Sequence, residues 1–195
     1  MLDIETLSTK PNAVVLSIGA VEFNPETGDI IRRFYQELDL QDQSDRHIDI
    51  STVQWWADRC KENVGNLDLL ANPKQRRLST LTVLGMLDEF INEPQSSFFL
   101  WNKPRYMELK RDEFKVAVWA CDPDFDIAIL NNLYESENIR CPWRYNEPKS
   151  VRTIRLLAEM KGIELPKAEA SHNALEDCIR QAKEVSAFIQ QIYKV

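Results

Sequence analysis

Hydrophobic and polar positions divide the chain into a strand-rich start and a helix-rich remainder. Residues 13–23 (AVVLSIGAVEF) form an almost continuous apolar run with many β-branched side chains, the pattern of a strand buried on both faces. Asn24-Pro25-Glu26-Thr27-Gly28-Asp29 is turn chemistry, and residues 30–38 read as the returning strand of a hairpin. Helical patterns follow at about 51–62 and 79–92, each opening on a serine suited to an N-cap. Residues 93–112 are irregular and mixed, an elaborated connection, and 114–120 (FKVAVWA) is a short strand. Asp122-Pro123 supplies a capping residue and a proline in the first helical position, predicting a helix to about 137. Another helix is predicted at about 151–161 after Ser150, and a last one from near Asn173 almost to the C-terminus. Strands first, then helix and strand in alternation, predict an α/β domain: one mixed sheet covered by helices across residues 1–195.

Charge narrows the chemistry. Lys and Arg total 24 against 31 Asp and Glu, a net charge of −7. Proteins that hold long duplexes on a broad basic face need phosphate-neutralising cations, so that class is disfavoured. An enzyme gripping a few nucleotides at one end is not, because bound divalent cations would carry the positive charge. No apolar run approaches the roughly 18 residues that span a bilayer, and no signal-peptide pattern opens the chain. Cys60, Cys121, Cys141 and Cys178 are scattered without a C-x-x-C pair, which predicts reduced thiols in a cytoplasmic protein and no zinc knuckle.

Three acidic features carry candidate chemistry. Asp3 and Glu5 alternate along a strand and so share a face; two adjacent like charges call for something positive between them, and hard divalent cations suit that oxygen pair. In Asp122-Pro123-Asp124-Phe125-Asp126, the last aspartate aligns at helical spacing with Ile129, Leu130 and Leu133, an apolar stripe where a carboxylate needs compensation. Asp122 and Asp124 are read as capping and helix-dipole residues. In Ser171-His172-Asn173-Ala174-Leu175-Glu176-Asp177, Asn173 and Glu176 have capping-box spacing. His172 then lies just outside the helix, and Asp177, on its first turns, leans back toward that loop. The apolar stripe of the helix (Leu175, Cys178, Ile179, Ala182, Val185, Ile189) runs well around from Asp177, predicting a flank position facing a cleft or water. Taken singly, each feature also fits a solvated acidic pair, a helix cap or a surface histidine.

In order, D-x-E, F-D-x-x-x-L and H-x-A-x-x-D resemble the three motifs of the DEDDh exonucleases, which include the proofreading subunit of bacterial replicative polymerase, oligoribonuclease and RNase T. The likeness spans Asp3 to about Ala182. Leu2–Leu7, Lys10-Pro11-Asn12-Ala13, Ser17-Ile18-Gly19-Ala20-Val21, Ser51–Trp56 and Val151-Arg152-Thr153 further resemble a phage, prophage and mycobacterial exoribonuclease branch. Two departures stand out. Only two residues precede Asp3, and the second motif lacks the glycine common ahead of Phe-Asp.

The resemblance implies a ribonuclease-H-like fold and a 3′–5′ exonuclease releasing nucleoside 5′-monophosphates. It implies Asp3, Glu5, Asp126 and Asp177 as ligands of two Mg²⁺ or Mn²⁺ ions about 3.5–4 Å apart, with His172 as general base. Single-stranded nucleic acid or a 3′ overhang is the expected partner, RNA and DNA staying open, and a homodimer is a hypothesis carried by the family. Leu7 is a candidate wedge against the last base, Thr6 a backbone contact to the 3′-hydroxyl, and Trp55, Trp56 and Phe125 candidate stacking groups, although aromatics at such positions are more often core. Arg144, Arg152 and Arg155 are candidate phosphate contacts. Two rival classes stay in view: a catalytically silent nucleic-acid-binding protein of the same fold, and a dimetal nucleotide phosphohydrolase.

Overall fold

The computed structural model describes residues 1–62, 77–92, 117–167, 169 and 171–193. The expected connection at 93–112 and the first residues of the expected 114–120 strand lie outside these.

Three antiparallel strands come first: β1 (Leu2–Thr6), β2 (Val15–Phe23) and β3 (Ile30–Glu37). Helices α1 (Ile50–Glu62) and α2 (Thr80–Asn92) follow, then β4 (Val118–Ala120), α3 (Asp126–Ser136), β5 (Pro148–Ser150), α4 (Val151–Lys161) and α5 (Ala174–Tyr193). The strands form one sheet in the order β3-β2-β1-β4-β5, antiparallel among the first three and parallel from β1 through β4 to β5. Helices flank this mixed sheet, as the order of elements predicts.

Alternation along the strands sorts the core into two layers. Leu2, Ile4, Ile18 and Ala20 face α2 and α3, meeting Val83, Leu84, Leu87, Ile129, Leu130 and Leu133. Val21 and Phe23 face the opposite way, against Val151 and Ile154 of α4 and Cys178, Ala182 and Val185 of α5. Each Leu or Ile so enclosed contributes about 1.5–3 kcal/mol relative to exposure. The period of two that sends Leu2 and Ile4 into the first layer sends Asp3 and Glu5 toward α5. A register shift between Glu5 and Thr6 then breaks the regular ladder. Beyond it the buried Gln43 amide pairs with both backbone groups of Val15 at 2.8 Å, standing in for a strand.

Local capping agrees with expectation in part. Ser79 and Ser150 accept from Thr82 and Thr153, each at 3.3 Å. For α1 the cap is Asp49 rather than Ser51: its carboxylate accepts the Ser51 N–H at 2.8 Å, and a charged oxygen is the stronger acceptor. Strand β5 was not foreseen. Its three residues, Pro148-Lys149-Ser150, carry no apolar signal, and the proline is tolerated at the first position of an edge strand, where its missing N–H leaves no ladder bond unmade.

Candidate active site

Asp3 pairs in register with Gly19 on β2. A methyl group at Gly19 would stand 2.3 Å from the carbonyl carbon of Ala174, so only glycine lets the first turn of α5 lie directly on the sheet beside Asp3. The Cys178 thiol donates to the Gly19 carbonyl at 3.2 Å and pins the same contact.

That first turn is closed by side chains the sequence singles out. Asn173 Oδ1 accepts from the N–H groups of Leu175 and Glu176 at 3.1 and 3.2 Å, giving the forward half of the expected capping box. The return half is different: the Asn173 N–H goes to Ser171 Oγ at 3.3 Å instead of to Glu176. His172 has φ +55°, a left-handed conformation costing about 1–2 kcal/mol for a residue with a Cβ. Asp177 offsets it, because the Ser171 and His172 N–H groups donate to its Oδ1 and Oδ2 at 3.2 and 3.1 Å.

The backward lean expected of Asp177 is therefore present, and the residue, only 5 % exposed, faces Asp3 and Glu5 rather than water. A buried polar row, Asp177, Gln181 and Glu184, runs beside the apolar stripe of α5. Gln181 Nε2 donates to Asp3 Oδ1 at 2.9 Å and ties α5 to β1. Arg180 donates from Nε and Nη2 to Asp177 Oδ1 at 3.1 and 2.8 Å. The motif reading missed both Arg180 and Gln181. Their signal was spacing, three and four residues beyond an aspartate on one helix face.

Helix α3 begins at Asp126, later than the Asp122-Pro123 signal predicts. Residues 122–125 form a helical turn closed by the Asp126 N–H on the Asp122 carbonyl at 3.0 Å, and Phe125 bends it with φ −105° and ψ −71°. Asp122 does not cap the helix; its carboxylate meets Arg152 at 3.4 Å, while Asp124 is exposed. Asp126 is 3 % exposed on the apolar stripe, as its spacing requires. Its carboxylate accepts the Asp122 N–H at 3.4 Å, and the Ile4 backbone, between Asp3 and Glu5 on β1, is near enough to favour its charged form.

Carboxylate oxygens of Asp3, Glu5 and Asp177 lie within 4.8 Å of one another. Asp126 stands just beside this triplet, close enough that its charge raises the pKa of both Asp3 and Glu5. Burial is the first cause of the rise for Asp3, followed by repulsion from Asp126 and, opposing it, the Gln181 hydrogen bond. Glu5 is pushed well up by burial and then by Asp3, Asp177 and Asp126. Burial lifts Asp126 to about 7 against the pull of its backbone N–H bonds. Asp3 and Glu5, each raised by its neighbouring carboxylates, lack the positive charge their grouping calls for, and among these four acidic residues Arg180 hydrogen-bonds Asp177. An all-oxygen, acidic donor set of this kind fits hard divalent cations such as Mg²⁺ or Mn²⁺.

The His172 ring lies edge-on to Trp55, centroids 4.7 Å apart at 90°, with Trp56 at 6.5 Å behind. Burial lowers the His172 pKa, and nearby Arg59 and Arg180 add to this against Asp177. A cavity of about 400 Å³ opens beside Glu5, lined by Thr6, Thr9, Thr52, Trp55 and Phe125 among others. Two expected substrate contacts take on structural work here. Trp56 also lines the cavity but is 1 % exposed and donates its indole N–H to the Thr6 carbonyl at 2.9 Å, so it packs as core and the open indole of the pair is Trp55. Leu7 is 7 % exposed and packs with Val14, Leu16 and Trp56 rather than projecting as a wedge. The same bond occupies the Thr6 carbonyl, and its hydroxyl donates to Ser8 at 2.7 Å. Phe125 is half-buried at the cavity wall. Arg155 pairs with Glu184 at 2.7 Å, and Arg144 and Arg152 lie toward β5 and α4.

Residues 1–189 match the family model of the 3′-5′ exoribonuclease Rv2179c-like domain. The chain belongs to that family. Membership in the Rv2179c-like family covers every element from β1 to nearly the end of α5, and so all five motif residues fall within the matched region. No curated protein matches the chain. The Rv2179c-like domain here contains no helix, among the described residues, long and apolar enough to cross a membrane.

Proposed function

We propose that the chain is a metal-dependent 3′–5′ exonuclease that removes nucleoside 5′-monophosphates from single-stranded or 3′-overhanging nucleic acid. The observation that carries this reading is the meeting of Asp3, Glu5 and Asp177 oxygens within 4.8 Å, with Asp126 alongside. These four would hold two Mg²⁺ or Mn²⁺ ions. Bound there, the cations would neutralise charge on the scissile phosphate and acidify a water. His172 serves as general base. Its lowered pKa keeps the imidazole neutral near pH 7 and ready to take the proton of that water. Trp55 and Phe125 offer π-faces to the terminal base, a sequence-tolerant grip. Trp56, packed against Leu7, lines the same cavity from its buried side. A homodimer completes the proposal, and elution as a strict monomer would remove that part.

A time course on matched, 5′-labelled RNA and DNA oligonucleotides with Mg²⁺, Mn²⁺ or EDTA, beside a mononucleotide control, tests the reading. A ladder shortening from the 3′ end, abolished by EDTA, is the expected result. Release of inorganic phosphate alone would favour a phosphohydrolase, and tight oligonucleotide binding without cleavage would favour a silent binding protein. His172→Ala should lower kcat by about 10²–10⁴-fold and leave Mn²⁺ binding intact, measurable by calorimetry; an unchanged kcat would remove His172 from the mechanism.

A further inference from the structure

Charged groups continue behind the carboxylates in a chain that runs from the interior to the surface. Arg180 makes a two-pronged contact to Asp177 Oδ1, from Nε at 3.1 Å and Nη2 at 2.8 Å, and its remaining Nη1 donates to Glu184 Oε1 at 2.9 Å. Glu184 is gripped from the other side by Arg155 of α4, Nε to Oε2 at 2.7 Å and Nη2 to Oε1 at 3.2 Å. Glu184 is only 4 % exposed and the Arg180 side chain 17 %. The run Asp177–Arg180–Glu184–Arg155 thus alternates in sign and links α4 to α5.

Such a chain is a poor device for stability alone, since well-packed apolar residues of similar volume generally do as well as buried ion pairs. Its value lies in geometry. Asp177 Oδ1 receives three donors, from the Ser171 N–H and the two Arg180 nitrogens, and its lone pairs are used up. Among the described residues Oδ2 receives only the His172 N–H, and it keeps acceptor capacity. The Ser171 and His172 N–H groups, one on each oxygen, set the carboxylate plane, and the two guanidinium nitrogens converge on Oδ1 from a fixed direction, which a flexible point charge cannot do.

We propose that Arg180, clamped by Glu184 and Arg155, is a positioning residue that locks Asp177 with Oδ2 available to a divalent cation. The proposal rests on the exonuclease reading of the same site. Orientation and charge make opposite predictions for the Arg180 variants. A neutral residue at position 180 removes a competing cation, so charge alone would tighten divalent binding. Loss of orientation would weaken it, by about tenfold or more, as loss of partners behind metal ligands generally does.

The test is direct Mn²⁺ binding by the full chain, followed by electron paramagnetic resonance of free Mn²⁺ and by calorimetry, for wild type, Arg180→Met and Arg180→Lys. Melting in EDTA verifies that each variant folds. Both variants should bind Mn²⁺ about tenfold more weakly, lysine failing to rescue because it keeps the charge but loses the fork. Tighter binding by the methionine variant with wild-type binding by the lysine variant, or no change in either, would overturn the proposal. Should the Arg180 variants not fold, Arg155→Met decides. It breaks the clamp at its outer end, where the side chain is 38 % exposed, and should weaken Mn²⁺ binding at least threefold, against no change if the clamp is idle. Wild type that binds no Mn²⁺ at all would instead defeat the nuclease reading itself.

Discussion

Asp126→Asn is expected to cut turnover by more than about 100-fold while making the metal-free protein more stable above pH 7. The two effects have one origin. Asp126 is held against the Ile4 and Asp122 backbone at the edge of the carboxylate cluster, where burial lifts its pKa to about 7. An unfolded aspartate titrates near about 3.9. Between those values the folded state binds the extra proton, so the contribution of Asp126 to stability falls as pH rises from about 4 to about 7 and levels off above. Asparagine keeps the shape and deletes that slope, because nothing remains to ionise. Melting in EDTA at pH 5 and pH 8 should show wild type losing stability at the higher pH and the variant losing less. Wild-type turnover in Asp126→Asn, or identical pH slopes, would mean that the second motif has been assigned to the wrong residue. The same linkage strengthens the stabilising effect of divalent cations above pH 7, where they no longer compete with a proton for Asp126.

Gly19→Ala is expected to cost about 3 kcal/mol or more and to abolish activity along with it. The added methyl meets main chain rather than a yielding side chain: Ala174 C at 2.3 Å, Ala174 O at 2.4 Å and Leu175 N at 2.5 Å. Relief requires the start of α5 to lift from β2. Asp177 and Gln181, whose amide holds Asp3 at 2.9 Å, would move with it. Urea unfolding followed by circular dichroism measures the loss as a lower midpoint. A variant within about 0.5 kcal/mol of wild type, the usual range for harmless surface changes, would show that α5 does not rest on Gly19.

The elements with strong periodicity were legible in the sequence: the apolar run that became β2, the hairpin to β3, and the serine-capped α2 and α4. So was the meeting of Asp3, Glu5 and Asp177 with Asp126 beside them, because their types and order constrain one another even though each alone is ambiguous. What escaped was whatever depends on tertiary partners. Three polar residues became β5 only because β4 offers them backbone groups. The late start of α3 follows from Asp126 capturing the Asp122 N–H, a competition that local propensity does not register. Asp177 looked like a flank residue because helix periodicity counts apolar neighbours. In the fold the helix buries a polar row, bonded by Arg180, by the loop N–H groups and by Asp3 of β1. The paired indoles illustrate the same limit. Trp55 and Trp56 are indistinguishable by type, and only the packing of α1 against Thr6 and Leu7 sends one inward and leaves the other at the cavity.

Anomalous diffraction from crystals grown with Mn²⁺ tests most directly whether these carboxylates hold cations. Peaks bound by Asp3, Glu5 and Asp177, with Asp126 completing the set, are the predicted result, and they should vanish from Asp126→Asn crystals or fall there to a single peak. A protein that takes up no Mn²⁺ between β1 and α5, or takes it up only elsewhere, would contradict the metal centre and with it the proposed chemistry.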